Sequence, residues 1–471
     1  MQKVLYQEVA ERIEKLIQKG SLKLGDKLLS VRALSQEQGV SLSTAYQTYY
    51  YLESKGLIEA KPQSGYYVKF STQHFPAMPS MAKETQVARP VSTSEMIEDV
   101  YQRLFQPGMI NLAVGSPDIP FLPVAKLSKA AHYVIRKQPD KILQYEEVKG
   151  NANLRLQIAR LSFNWGGAVG KDDVVITAGC VEALSLAIKA VTQPGDAVAI
   201  ESPTYHAIFQ IMESQGLKVV EIPCDPQHGI DLQFLENAIT RFAIKACLFV
   251  PNFNNPIGSC MPDANKKKLV ELLASKEIPL IEDDIYGELY FGTNLPRTCK
   301  SFDKKGMVIY CSSFSKSLAP GYRLGYTIAG KFTEKIIALK RMHVVSTNTL
   351  AQAVIAHFLE HGRYELHLRN LRKNLHSNWL KYMQVILASF PESAKISRPS
   401  GGFVIWIELN KQTDVWKIFN KALKQKIGFV PGEIFSASGK FSNCLRLSFG
   451  EPLTKAREDA IKQVGRMFHH P

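Results

Sequence analysis

The seven cysteines of this 471-residue chain never form a C-x-x-C pair, so neither a zinc site nor a disulfide framework is indicated and no metal is expected. Their odd number and scattered, mostly apolar settings fit a reducing cytoplasm. No apolar run approaches the roughly eighteen residues that cross a membrane. The first residues, MQKVLYQEVAERIEK, lack the apolar core of a signal peptide. No internal repeat is visible. What remains is a cytoplasmic globular protein of ordinary composition, 45% hydrophobic, 10% aromatic and 21% charged. Its length suggests two or three domains.

A formal charge of +15 invites a polyanion, because basic surfaces attract nucleic acid. The distribution does not locate the partner. Residues 1–70 carry ten Lys and Arg against seven Asp and Glu, and the remainder carries 48 against 36. Motifs must say where an anion binds.

Three zones follow one another. Residues 1–70 hold helical patterns ending in short strands. Residues 71–105 begin rich in Ser, Pro and Met without a sustained period, which reads as a linker turning helical near Ser94. From residue 106 to 471, short apolar runs alternate with helical stretches: DVVITAG, AVAIESP, VVEIPCD, ACLFVPNF, IPLIEDD and MVIYCSS. That alternation predicts an α/β domain with a mostly parallel sheet. Ligands of such sheets gather where the strands end.

In the first zone Val4, Leu5, Val9, Ile13, Leu16 and Ile17 share a helical face, and Gly20 stops the helix. Ser30 is a suitable N-cap for a short helix carrying Leu34, which Gly39 ends. Ser41 or Ser43 caps the next, whose buried side includes Ala45, Tyr49 and Leu52. With GLIEAKPQSGYYV behind them, these helices make a helix-turn-helix and a two-stranded wing. A three-helix adaptor without a DNA role fits the same spacing.

LLSVRALSQEQGVS followed by ESKGLIEAKPQSGYYV resembles the winged-helix domain of the GntR transcription regulators, over nearly all of residues 1–70. The resemblance implies that Arg32, beside Ser30, holds a DNA phosphate. It implies that Ser41, Ser43, Thr44, Tyr46 and Gln47 face the major groove. Ser64, Gly65 and Tyr66 of the wing would meet the backbone or minor groove. Leu29 stands where the family usually has proline. No Arg or Lys occurs between Gly39 and Glu53. The recognition helix must therefore read bases through Gln, Ser, Thr and Tyr, or rely on DNA shape.

The third zone contains SSFSKSLAPGYRLGY, with Lys316 among small hydroxyl residues and Arg323 seven positions on. A lysine amine attacks carbonyls once its ammonium form is destabilised. Ser313, Ser315 and Arg323 could hold the phosphate of a carbonyl cofactor such as pyridoxal 5′-phosphate. A solvated lysine in a Ser-rich loop is the plain alternative. Asp283, in IEDDIYGELY, could face a pyridine nitrogen, with Tyr286 within reach of the ring oxygen; the acids of this run could equally be solvated. Asn255 before Pro256 could donate to that oxygen or simply make a turn. Gly179, Cys180 and Val181 open a helix whose free N–H groups suit an anion or serve only a βα turn. Tyr205 could stack on a flat ring. Arg446 suits a substrate carboxylate or a structural ion pair.

In this order the residues resemble the fold-type I aminotransferases, over about residues 107–471. That implies an α/β domain with a mostly parallel sheet and a small α+β subdomain from about 345. It implies pyridoxal phosphate in an internal aldimine on Lys316, Asp283 on the pyridine nitrogen, and Asn255 with Tyr286 on the ring oxygen. Arg446 would bind the α-carboxylate of an amino-acid ligand. Tyr145, in QYEEVKGNANLR, looks like the tyrosine that crosses to the neighbouring subunit's phosphate.

A GntR-like head on an aminotransferase-like body resembles the MocR group of regulators. The resemblance implies a homodimer that binds a double-stranded DNA operator and senses pyridoxal phosphate, an amino acid or an amine. An active aminotransferase with an appended head is the alternative.

Overall fold

The computed structural model describes residues 5–19, 21–23, 25–61, 64–69, 76–82, 87–292 and 295–469. Three helices open it: α1 (Leu5–Gln18), α2 (Val31–Glu37) and α3 (Leu42–Ser54). Ser30 Oγ accepts from the Ala33 amide and Ser41 Oγ from the Thr44 amide, both at 3.1 Å, so Ser41 rather than Ser43 caps α3. Val9, Ile13, Ile17, Leu34, Ala45, Tyr49 and Leu52 share a core separate from those of the body. Leu5 and Leu16, expected on the apolar face, are 52% and 44% exposed. At a helical turn of 3.6 residues they lie roughly 70–90° to the side of the Val9, Ala10, Ile13 and Ile17 stripe. Val4 and Gly20 lie outside the described residues.

The strands β1 (Ile58–Lys61) and β2 (Gly65–Val68) pair antiparallel as a wing, and Lys27 bridges to Tyr67. Side chains alternate along a strand. Tyr66 therefore points inward with Val68, its ring 4.5 Å from that of Tyr49. Tyr66, expected to meet DNA, is partly buried, whereas its neighbours Ser64 and Gly65 are exposed. Tyr67 takes the outer face, bonded to Ser64 at 2.7 Å with the Lys61 amine 4.5 Å over its ring.

The segment expected to be a linker is docked along most of its described length. The Pro76 and Ala77 carbonyls accept from Arg398 and Ile396 at 2.8 and 3.0 Å, and the Ser80 amide donates to Glu408 at 2.6 Å. Next come β3 (Arg89–Pro90) and α4 (Ser94–Leu104), which buries Ile97, Val100 and Leu104. Ser94 binds Glu213 through Oγ at 2.6 Å. These contacts use backbone groups and short polar side chains, which leave no periodic trace in sequence.

The body continues through β4 (Ile110–Asn111), α5 (Val124–Lys137) and α6 (Ala152–Ser162). Then β5 (Val174–Thr177), α7 (Cys180–Val191), β6 (Ala197–Ser202), α8 (His206–Ser214) and β7 (Lys218–Asp225) alternate. They are followed by β8 (Gly229–Ile230), α9 (Leu232–Phe242), β9 (Ala246–Phe249), α10 (Asp263–Ser275) and β10 (Leu280–Asp283). The last strands of this layer are β11 (Val308–Ser313) and β12 (Gly325–Ile328), before α11 (Thr333–His343). The sheet order is β3-β7-β6-β9-β10-β11-β12-β5, with β8 paired to β7. From β7 to β11 neighbours run parallel, and β12 runs against both β11 and β5. All six apolar runs of the sequence are strands here. The sheet is buried on both faces, as their near-continuous apolar character requires.

Two further helices, α12 (Thr349–His361) and α13 (Tyr364–Ser389), precede β13 (Lys395–Ile396) and β14 (Val404–Glu408). The chain ends in α14 (Val415–Lys424), β15 (Ile427–Gly428), β16 (Val430–Pro431), β17 (Cys444–Ser448) and α15 (Lys455–Met467). An antiparallel sheet of order β13-β14-β17-β16 forms the small subdomain. Its boundary is later than 345. Buried residues of α12, with Tyr364 and Leu368 of α13, pack in one cluster with Leu127, Ala130 and Leu154 of α5 and α6. From Leu371 onward α13 joins the other core.

Removing the cap of α3 should loosen the head locally. Ser41→Ala is expected to cost about 1 kcal/mol, seen as roughly fivefold faster hydrogen exchange of the α3 amides with the body's amides unchanged.

Candidate functional site

Sheet topology gathers the predicted residues at one edge. Gly179 follows β5, Tyr205 follows β6, Asn255 follows β9, Asp283 ends β10 and Ser313 ends β11. Because β12 is reversed, its entrance, Arg323, comes to the same edge. A cavity of about 150 Å³ lies there, lined among others by Cys180, Val181, Tyr205, Asn255, Asp283, Tyr286, Ser313, Ser315, Lys316 and Arg323.

At one end α7 begins with Gly179 at φ +96° and no side-chain cap, which leaves its first N–H groups free. A β-carbon on Gly179 would fall 2.7 Å from Arg323 Nη2, so glycine is needed for the guanidinium to lie against this turn. Arg323 itself has φ +51°, a strained conformation for a non-glycine residue. It donates to Ser315 Oγ at 3.4 Å, and the Ser315 amide donates to Ser313 Oγ at 3.3 Å. Free helix amides, two hydroxyls and an arginine make a cradle for a phosphate.

On the floor, Asp283 is fully buried. Burial pushes its carboxyl up to about 6, opposed by hydrogen bonds from Cys180 Sγ at 3.3 Å and the Ile285 amide at 3.2 Å. Asn255 Nδ2 donates to Tyr286 Oη at 3.4 Å. Arg446 is 1% exposed; it donates to Asn255 Oδ1 at 3.2 Å and to the Ala113 carbonyl at 2.6 Å. Its Nε has no partner among the described residues. Lys316 Nζ donates to the Gly115 carbonyl. Burial, then the charge of Arg446, lowers its proton affinity from the ordinary 10.5 to about 8; Asp283 works against that and Arg323 with it.

Of the predicted pocket residues, Gly179 and Arg446 do not line the cavity but touch Arg323 and Asn255, which do, whereas Tyr145 is 88% exposed. On the head, Ser30, Arg32, Ser41, Ser43, Tyr46 and Gln47 are exposed and Thr44 is partly so, while Ser64 and Gly65 stand at the exposed tip of the wing. Sequence reasoning missed Ala113 and Gly115, whose carbonyls hold Arg446 and Lys316. The Gly-Ser-Pro turn of LAVGSPD was the available signal. It also missed His206, whose ring lies 4.5 Å from that of Tyr205 and whose Nε2 meets Tyr101 Oη at 2.7 Å. Burial, with Arg446 and Lys316 nearby, lowers that imidazole to about 3, so it is neutral.

Comparisons with known proteins agree with this geometry. Residues 107–461 match the family model "Aminotransferase class I and II", and residues 5–68 match "Bacterial regulatory proteins, gntR family". The HTH-type transcriptional regulator YjiR of Escherichia coli K12 is 39% identical, over 98% of either chain. A Pyrococcus horikoshii kynurenine aminotransferase, solved in complex with PMP, is similar with a TM-score of 0.75 at 30% identity. The similarity covers 79% of this chain and 94% of that one. LysN, the α-aminoadipate aminotransferase of Thermus thermophilus, solved with N-(5′-phosphopyridoxyl)-L-leucine, is similar with a TM-score of 0.73 at 28% identity. There the shares are 80% and 98%. The chain belongs to the MocR-type transcription regulators, in which a GntR head is fused to a class I/II aminotransferase body.

Pyridoxal phosphate is the cofactor that this body accommodates. The residues present fit it: a phosphate cradle that a β-carbon would fill, a buried carboxylate and a lysine amine on one cavity, with Arg446 and its orphaned N–H behind Asn255. With Lys316 at about 8, its neutral, nucleophilic form grows about tenfold per pH unit below that value and saturates above it. Cofactor uptake, followed by the visible absorbance band, should accelerate accordingly between pH 6 and 8. Lys316→Ala should give no band at any pH.

Proposed function

We propose that this regulator senses pyridoxal phosphate, or an amino acid or amine acting with it, through Lys316, and that occupancy alters how a homodimer holds its DNA operator. The carrying observation is that Lys316, its proton affinity lowered to about 8, lines one cavity with Asp283 and Arg323 in a chain that also has a winged head.

Bound there, the cofactor supplies an electrophilic aldehyde carbon and a ring able to take up electron density. The chain's own residues prepare the site for it. Lys316 presents its amine from a partly buried position, one of its N–H bonds directed at the Gly115 carbonyl. Asp283 offers a carboxylate to a protonated ring nitrogen, and the Cys180 thiol keeps that carboxylate oriented. Burial keeps the Cys180 thiol protonated, so it remains a donor. Asn255 and Tyr286 form a donor pair for the ring oxygen, and Tyr205 walls the ring. Arg446 orients a ligand carboxylate, its position fixed by Asn255 and Ala113.

On the head, Arg32 holds a phosphate while the exposed face of α3 (Ser43, Thr44, Tyr46 and Gln47) meets the bases. Tyr145, with Leu143 at 86% exposure, supplies the surface by which two copies join and Tyr145 reaches the partner's phosphate cradle. The complete set of amine-handling residues also supports a second reading, transamination with the head as an appendage.

A gel shift on the protein's own promoter region tests the first reading. Wild type should bind at about 50 mM salt, and Arg32→Ala should weaken binding and reduce the salt slope by about one per head. Absence of binding at that salt would remove the sensor reading. Steady turnover of an amino donor and a keto acid, with DNA affinity indifferent to the cofactor, would select the second.

A further inference from the structure

Helix α13 touches the lysine loop and the segment that follows the Arg446 strand on one face, and the DNA-binding head on the opposite face. It is 26 residues long, about 39 Å at 1.5 Å per residue. At its start Tyr364 Oη bonds to Ser317 Oγ at 2.8 Å and donates to Glu288. His367 Nε2 donates to the Ser317 carbonyl at 2.7 Å. The residue after Lys316 is thus held by both its hydroxyl and its backbone. Tyr364 and His367 are 4% and 7% exposed, so water does not compete for these bonds.

Midway, Asn378 Nδ2 donates to the Phe449 carbonyl at 2.6 Å, and its Oδ1 accepts from the Leu453 amide at 3.1 Å. Tyr382 Oη donates to the Glu451 carbonyl at 3.1 Å. Phe449 directly follows β17, on which Arg446 sits.

The opposite face, between His376 and Gln384, meets the head at the points where its two DNA-facing elements end. Gly56, in the turn leaving α3, lies so close that a β-carbon there would fall 1.8 Å from Leu380 Cδ1 and 3.5 Å from His376 Cε1. Gln384 Nε2 donates to the carbonyl of Lys69, the residue after β2, at 3.0 Å. An unbroken α-helix does not absorb displacement along its length as a loop does.

We propose that α13 is the lever of this regulator: its Ser317 end registers the state of Lys316, and its His376, Leu380 and Gln384 face is the docking surface that sets the head's position. This rests on the sensor reading above and specifies its route. The physical requirement is a single element with differential contacts in two states of the pocket, biased from both ends. Condensation of an aldehyde with the Lys316 amine would form a C=N bond and release the aldehyde oxygen with both amine hydrogens as water; the N–H held by the Gly115 carbonyl would be lost, altering the load on the loop that Tyr364 and His367 grip. Ligand binding at Arg446 loads the same helix through Asn378.

The experiment is fluorescence anisotropy of a promoter fragment with the full chain, with and without saturating pyridoxal phosphate. The quantity read is the ratio of the two dissociation constants, in wild type, Leu380→Ala and Gln384→Ala. We expect a wild-type ratio at least fivefold from one, falling to within twofold of one in both variants, with the cofactor's absorbance band retained. Leu380→Ala opens a buried site, so Gln384→Ala, which removes only the bond to Lys69, decides the matter if the first variant unfolds. A wild-type ratio of one removes the sensor reading and the lever with it. A wild-type ratio far from one that Gln384→Ala preserves removes the lever alone.

Discussion

The desolvation of the Lys316 ammonium is the constraint around which the body is arranged. A charged amine in a low-dielectric pocket is expensive unless it is paired or gives up its proton. Here the pairing is partial. Burial is the largest influence against the charge, Arg446 and Arg323 act with it, and Asp283 favours the charge. The result is an amine near the boundary of protonation at physiological pH. Asp283 is likewise displaced upward by burial, and it is restrained by a thiol and an amide donor. Two groups poised this way fit a partner that carries a protonated ring nitrogen at one end and an aldehyde at the other. The strained Arg323 and the capless α7 are of a piece with this, since both leave donors aimed at a single anion.

Much of this was legible in the chain. The six apolar runs became strands because short apolar segments bounded by Gly, Pro, Asn and Asp have few other ways to bury themselves. The candidate residues lay where those runs end, and a parallel sheet delivers such positions to one edge. What was illegible depended on contacts distant in sequence. The reversal of β12 follows from a connection only eleven residues long between Ser313 and Gly325, with no α-helix to carry the chain back. The inward turn of Tyr66 depends on strand parity set by Val68. The stations along α13 pair it with residues more than forty positions away, largely through backbone carbonyls that carry no sequence signature.

The head tells the same story at smaller scale. Its caps were readable because Ser30 and Ser41 act within three residues of themselves. The exposure of Leu5 and Leu16 was not, because a helix has several apolar residues near one face and the neighbour decides which of them are covered.

The docking of residues 76–82 and 87–104 onto the body has a practical consequence for anyone dividing the gene. A body begun at residue 106 would lose β3, uncovering the β7 edge at Val219, and would lose the helix that shields the surface under Ile97, Val100 and Leu104. It would present an unpaired strand edge beside bare apolar area, the combination that favours sticking to other chains. Head and body are best separated ahead of Pro76, whose carbonyl accepts from Arg398 of the small subdomain. The shortest self-sufficient body is therefore some thirty residues longer than the family match from residue 107 suggests.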